Sequence, residues 1–401
     1  MAKRFVYHAT EKAPFYEALA TEFEWFSGFS TAQKQKSIDA LHESCKKTNP
    51  SFNILEVSGK SRQELGVKLS AFNLELHDEH GSHTVECLFQ GSKEFNSLIR
   101  QDLYEVSSKE ARKVIGSANY GIPKAFRLWN IRFPSEPKNA FYNWLYIRAL
   151  CSNPELAKEI IEYDSFTDIE FNPKKSINCQ AIAAATYIGL LKAGKLKKAI
   201  KSPETFLKVV YEKNPPIKIL YVHGYLGRGY GESSERIRKE FVSRKIPCIL
   251  DAPSFPVTDP EATKDKIKSL IEENRYDVVV ASSLGAFYTM QILGIKKILV
   301  NIALPENLKR IKDSKPEHNP DLSPEFFEKI EKEKDVFFSE VFNDDFKQET
   351  CVIYGSRDKI AANESFFKQY FNDDSRICHI DMDHKLDARG AAKVFELIFK
   401  C

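Results

Sequence analysis

From residue 217 onward the chain alternates between short, wholly apolar runs and longer stretches of helical period. "IKILYVHG", "PCILDAP", "YDVVVASS", "KKILVNIALP", "TCVIYGS" and "RICHIDM" are of strand length and apolar on both faces. Strands without a polar face, separated by helices, predict a mainly parallel sheet covered by helices on both sides. The first half follows a different rhythm. "GVKLSAFNLEL" and "SHTVE" flank the polar "HDEHG" and predict a hairpin leading into a helix that begins "VECLFQGSKEF". "PKNAFYNWLYIRAL" and "NCQAIAAATYIGLLKAG" read as buried amphipathic helices. A basic, helix-like stretch ends at Asn214-Pro215-Pro216, a breaker between the two patterns. The expectation is two domains: a mixed, mostly helical α+β domain over 1–212 and an α/β domain over 217–401.

Composition narrows the class. A chain of 401 residues that is 42% hydrophobic, with 29 Phe and 16 Tyr, has material for packed cores. No run approaches the length of a membrane span, and "MAKRFVYHATEK" lacks a signal peptide's apolar block. The eight cysteines form no C-x-x-C pair, which predicts a reduced, cytoplasmic protein. The net charge of +3 is unevenly shared: residues 1–215 carry +5 and the remainder −2. That asymmetry tolerates a polyanion without establishing nucleic-acid binding.

In the second half, "VVVASSLGAFYT" runs from an apolar strand through Ser283 into a helix, the setting of a nucleophile elbow. Small residues, Ala281 and Gly285, stand two before and two after the serine. Asp358 follows "TCVIYGS" and His384 follows "RICHIDM", so the chain order is Ser, Asp, His. The backbone amides of Tyr225, in "VHGYLGRGYG", and of Leu284 are placed to form an oxyanion hole. This half resembles the YqiA-like esterases of the α/β-hydrolase superfamily. The resemblance implies Ser283 as nucleophile, His384 as general base, Asp358 as the acid that orients it, and an ester or related acyl substrate. His223 and His379 read as structural histidines at strand ends, and 322–342 as a helical insert.

In the first half, Glu86, Gln90 and Lys93 are spaced by four and three, so a continuous helix would place them on one face. About 10 Å of helix axis separates Glu86 from Lys93, too far for a direct pair and suited to straddling a ligand. "FEWFSGFS" (23–30), "VECLFQGSKEF" (85–95), "EARKVIG" (110–116), Trp144 with Ala149-Leu150, and "YDSFTDIEFNPKKSINCQ" (163–180) resemble the successive motifs of the NADAR family. The last of these is similar to the branch serving as antitoxin to a guanine-directed DNA ADP-ribosyltransferase. Gly28 stands where the family has Asn, and the late-motif glycines and Trp are missing, Asn178 being retained.

The resemblance implies an N-glycosidase that removes ADP-ribose from guanine, in DNA or in a nucleotide, and a cognate toxin as partner. It implies Glu86 as acid/base, Lys93 as an amine able to form a Schiff base, and Gln90 as a ligand-orienting residue. Phe26 and Phe29 are expected as stacking walls, with Asp168 and Asn178 as ligand-binding groups. No cofactor or metal is expected; His77, His80 and His83 in "HDEHGSH" are spaced across a turn where they cannot all converge. A second reading keeps the first half as a non-catalytic module that binds ADP-ribose or the toxin and targets a serine esterase.

Overall fold

The computed structural model describes residues 1–96, 98–172, 178–314, 316–361, 363 and 376–400. The chain divides into two compact units, Met1–Pro216 and Ile217–Cys401.

The first unit is built on a four-stranded sheet in the order Tyr16–Phe23, Ala2–Ala9, Ser165–Thr167, Ile54–Glu56. Ala2–Ala9 is antiparallel to both of its neighbours, and Ile54–Glu56 runs parallel to Ser165–Thr167. A hairpin, Glu75–Asp78 with Gly81–Thr84, precedes the helix Val85–Gly91. Of the segment "GVKLS" before it, Gly66, Val67 and Lys68 lie on a short helix, Glu64–Lys68, rather than in the hairpin.

Two helices, Ala140–Cys151 and Gln180–Lys192, form the centre of the core. Neither is amphipathic as expected. Burial is continuous from Ala181 to Leu190 and from Ala140 to Ile147, so both helices are apolar all round and enclosed on every side. "EARKVIG" lies inside a helix, Ser108–Ser117.

The second unit is a six-stranded, wholly parallel sheet in the order Cys248–Asp251, Ile217–Val222, Val278–Ser282, Lys297–Val300, Thr350–Gly355, Ile377–Ile380. Alternate residues feed separate cores on the two faces. Leu220, Val222, Val279 and Ala281 pack on one side, and Ile219, Tyr221, Val278 and Val280 on the other. That is why each strand is a continuous apolar run. The order of strands reverses at Ile217–Val222, so the carboxyl ends of Ile217–Val222 and Val278–Ser282 open the crevice where such sheets bind ligands.

Among the described residues, no helix is long and apolar enough to cross a membrane. Among the described residues, Cys45, Cys87, Cys151, Cys179, Cys248 and Cys378 are outside any disulfide. Cys351 is disulfide-bonded, a departure from the all-thiol expectation.

Candidate active sites

In the first unit, Thr84 caps the helix Val85–Gly91 by accepting the Cys87 amide, and every residue of that helix is buried. The helix stops before Lys93. Ser92 closes it, and Lys93 enters a two-residue strand paired with Phe126. The shared helical face expected for all three residues therefore holds only for Glu86 and Gln90. The trio still converges, by direct bonds rather than across a ligand. Gln90 Nε2 donates to Glu86 Oε1 at 2.9 Å, and Lys93 Nζ donates to Gln90 Oε1 at 2.6 Å. Each end fixes the orientation of the amide between them.

Burial raises the Glu86 carboxyl above its usual range, against the opposing pull of the Gln90 hydrogen bond and the Arg112 and Lys93 charges. Burial also lowers Lys93 to about 8, although Glu86 favours its charged form. Its ammonium lies 4.6 Å from the centre of the Phe89 ring.

Glu86 and Gln90 line a cavity of about 670 Å³, together with Asp168 and Asn178. That volume suits a small organic ligand. The cavity wall also includes Lys60, Arg112, Tyr142 and Gln180, residues that sequence reasoning did not single out. Arg112 Nε lies 4.0 Å from Glu86 Oε1, and Gln180 Oε1 accepts the Ala71 amide at 2.8 Å. Arg112 was within reach of the sequence, inside the "EARKVIG" motif; Tyr142 had only its place on an apolar helix.

Lys93, Phe26 and Phe29 are not among the lining residues. Phe29 is 97% exposed, and Phe26 is half-buried, its amide donating to Ser37 Oγ at 3.0 Å. The stretch 173–177 of the late motif lies outside the described residues.

The three histidines of "HDEHGSH" take different partners, although His80 and His83 both lie against Trp129. His77 bonds Asn153, His80 stacks on Trp129, and His83 lies within hydrogen-bond distance of the Tyr104 and His80 carbonyls. Among the described residues, no group of three or more His, Cys, Asp or Glu could hold a metal ion.

In the second unit, Ser283 lies between the strand Val278–Ser282 and the helix Leu284–Met290, with φ 54° and ψ −124°. This backbone conformation is rare for a residue bearing a Cβ. The turn is tight enough to exclude side chains on both flanks. A Cβ on Gly285 would lie 2.3 Å from the His223 carbonyl oxygen, and one on Gly224 would lie 2.6 Å from Ser283 Cβ.

His384 Nε2 is 3.0 Å from Ser283 Oγ, and His384 Nδ1 is 2.9 Å from Asp358 Oδ2. Asp358 Oδ1 accepts the amides of Ile360 and Ala361 at 2.7 and 3.1 Å. Burial opposes ionisation of Asp358, but His384 and these two amides outweigh it and hold the carboxyl below its usual value. Leu284 is the first helical residue, so its amide has no acceptor within the helix. Tyr225 follows Gly224 on the neighbouring loop.

His223 is a structural neighbour of this site. Its Nε2 accepts the Phe255 amide at 2.9 Å, so Nδ1–H donates to the Gly224 carbonyl, and the ring is neutral. Burial pushes it the same way.

Asn301, missed in the sequence, is fully buried and holds the histidine loop in place. Its Nδ2 donates to the carbonyls of Asp383 and His384 at 3.1 and 2.9 Å, and its Oδ1 accepts the Gly355 amide at 2.7 Å. The signal, in retrospect, was an asparagine ending the apolar run "KKILVN".

The family model for DarT1-associated NADAR antitoxins matches residues 2–216. Among solved structures, three are similar to the chain at low identity. An α/β-hydrolase enzyme from the metagenome of lagoon sediments at Mar Chica, Morocco, is 15% identical, over 47% of this chain and 91% of its own, with a TM-score of 0.34. The ydeN gene product of B. subtilis is 16% identical, over 46% and 100%, with a TM-score of 0.32. A thermophilic esterase from Thermogutta terrifontis is 14% identical, over 47% and 90%, with a TM-score of 0.29. None of the curated proteins matches the chain.

Proposed function

The chain belongs to the family of DarT1-associated NADAR antitoxins, and from that premise we propose that its first unit is an N-glycosidase that removes ADP-ribose from guanine. The observation that carries this reading is a buried carboxyl, Glu86, on the wall of a ligand-sized cavity and tied through Gln90 to Lys93. Cleavage of a sugar–nitrogen bond requires a proton for the departing amine. Glu86, whose protonated form burial favours, delivers it as the C1″–N bond breaks. The resulting carboxylate then takes a proton from the water that completes the sugar, restoring the starting state. Lys93, bonded to Gln90 from outside the cavity lining, acts in this scheme through Gln90. A Schiff base would require its Nζ to leave that bond. Asp168 and Asn178 contact the sugar, and a cognate ADP-ribosyltransferase toxin is the implied partner.

An oligonucleotide carrying ADP-ribose on a guanine amino group tests the proposal. The wild type is expected to release ADP-ribose, and Glu86→Gln to bind the oligonucleotide without release. Binding without release by the wild type would establish the non-catalytic alternative. Trapping with borohydride during turnover would reveal a Lys93 adduct if that route operates.

A separate observation supports a second activity. The Ser283–His384–Asp358 arrangement has the geometry of a serine hydrolase. In this reading His384 accepts the Ser283 proton as Oγ attacks an acyl carbonyl. Asp358 stabilises the imidazolium, and the amides of Tyr225 and Leu284 receive the oxyanion. A fluorophosphonate probe is expected to label the wild type and not Ser283→Ala; an unlabelled wild type would refute this activity.

A further inference from the structure

Two parts of the first unit's cavity wall, the loop at 58–60 and the turn at 168–171, are tied to one buried side chain. Glu56, at the end of the strand Ile54–Glu56, is 2% exposed. Its Oε1 accepts the Ser58 hydroxyl at 2.5 Å and the Ile169 amide at 2.9 Å, and its Oε2 accepts the Thr167 hydroxyl at 2.6 Å. These bonds reach the residue on either side of Asp168.

Thr167 Oγ1 also lies 2.8 Å from His42 Nε2. The hydroxyl's single proton points to Glu56, so His42 Nε2–H is the donor. The ring is neutral, because burial pushes it down to about 4. Among the described residues, no lysine, arginine or histidine nitrogen lies within 4.0 Å of the Glu56 carboxylate. Burial raises the Glu56 carboxyl above its usual range, and the three donors, two of them hydroxyls, work against that rise and support its charge.

Asp168 is held differently. Its Oδ1 accepts the amides of Glu170 and Phe171, both at 3.1 Å. Among the described residues, the groups whose charge bears on it are acidic or neutral: Glu56 on the strand, Glu170 on its own turn, Cys179 before the helix Gln180–Lys192, Tyr142 and Tyr146 on Ala140–Cys151, and Tyr7 on Ala2–Ala9, while Lys60 and Arg112 stand elsewhere on the cavity wall. Lys34 is paired with Glu170 at 3.1 Å. Burial first, and then the Glu56 charge, push the Asp168 carboxyl well above the usual carboxylate range. Asp168 is half-buried at the cavity wall, and a charge on either of these carboxyls disfavours charge on the other.

We propose that Glu56 is a positioning residue of the cavity: the buried anion that binds the Asp168 turn to the Ser58 loop and keeps Asp168 a neutral carboxylic acid, so that Asp168 meets the ligand's sugar as a hydrogen-bond donor. Glu56 takes the charge because it has the stronger set of donors. The bonds on Asp168 Oδ1 leave Oδ2 to carry the shared proton towards a ribose oxygen. The inference rests on the reading of this cavity as the ADP-ribosyl site.

The test uses the full chain with ¹³C-labelled aspartate, titrated by NMR, the Asp168 signal being assigned by its loss in Asp168→Asn. Calorimetry with ADP-ribose itself runs in parallel. In the wild type Asp168 is expected to titrate well above the ordinary value of about 4. In Glu56→Gln, which keeps the shape but removes the charge, the midpoint falls by about one unit or more, and ADP-ribose affinity at neutral pH falls about tenfold. Thr167→Val, which removes one donor to Glu56, moves the proton towards Glu56 and shifts Asp168 in the same direction by less; it serves if Glu56→Gln does not fold. Asp168 titrating in the ordinary range in the wild type, or unmoved in both variants, overturns the inference. ADP-ribose bound by the wild type with Asp168 unmoved overturns this inference alone, whereas no binding at any pH overturns the glycosidase reading and the donor role together.

Discussion

Replacing Ser283 by alanine and, separately, by glycine isolates the strain at the elbow. Both variants lose the Oγ contact with His384 at 3.0 Å, so that loss cancels between them. Alanine keeps a Cβ at φ 54° and ψ −124°. Holding a non-glycine residue in so sparsely populated a region costs about 1–3 kcal/mol. Glycine adopts the same backbone without that penalty, but loses about 0.5–1 kcal/mol more in conformational freedom on folding. The difference leaves the glycine variant more stable than the alanine variant by about 1 kcal/mol, the reverse of the order at an ordinary site. For a unit of this size that is about 2–4 °C in Tm. Scanning calorimetry of the full chain, following the transition that moves in both variants, measures it. An alanine variant as stable as the glycine variant, or more so, would refute the claim that the turn stores strain.

Three further outcomes follow from the two units. Asn301→Ala removes the bonds to the Asp383 and His384 carbonyls and to the Gly355 amide; fluorophosphonate labelling of Ser283 should slow about tenfold or more, and Asn301→Asp, which sets a buried carboxylate oxygen against two carbonyl oxygens, should do no better. Gly224→Ala should suppress labelling as well, because its Cβ would fall 2.6 Å from Ser283 Cβ; retained labelling would mean that the loop can move aside. His42 binds its proton near 6.5 when unfolded and only near 4 when folded. The unfolded chain therefore gains protons first on acidification, and stability should fall by about 3 kcal/mol between those two values. A urea-denaturation series across that range should lose this component in His42→Gln.

How much was legible in the sequence differed between the units for a physical reason. In the second, the strands inside the edge strand Ile377–Ile380 are largely buried on both faces, so the apolar runs announced the sheet. Ser283, Asp358 and His384 each follow a strand, which made them conspicuous as a set. In the first, the spacing of Glu86, Gln90 and Lys93 assumed that the helix continues. It stops at Gly91, where a Cβ would meet the Tyr104 ring at 2.6 Å, and Lys93 reaches Gln90 from a strand instead. Glu56 could not be found at all. Two of its partners, Thr167 and Ile169, lie 111 and 113 residues away, and no local pattern encodes a bond of that span. Asn301, whose partners are 82 and 83 residues distant, was hidden for the same reason.

The strand Ser165–Thr167 sits in the middle of its sheet, between Ala2–Ala9 and Ile54–Glu56. During synthesis both neighbours leave the ribosome well before it does, and they wait as unpaired edges. Glu56 waits with them, a carboxylate kept wet until its later partners arrive. The ligand cavity is thus among the last parts of this unit to exist, and a nascent chain that stalls before Thr167 carries Glu86 without the enclosure that raises its proton affinity.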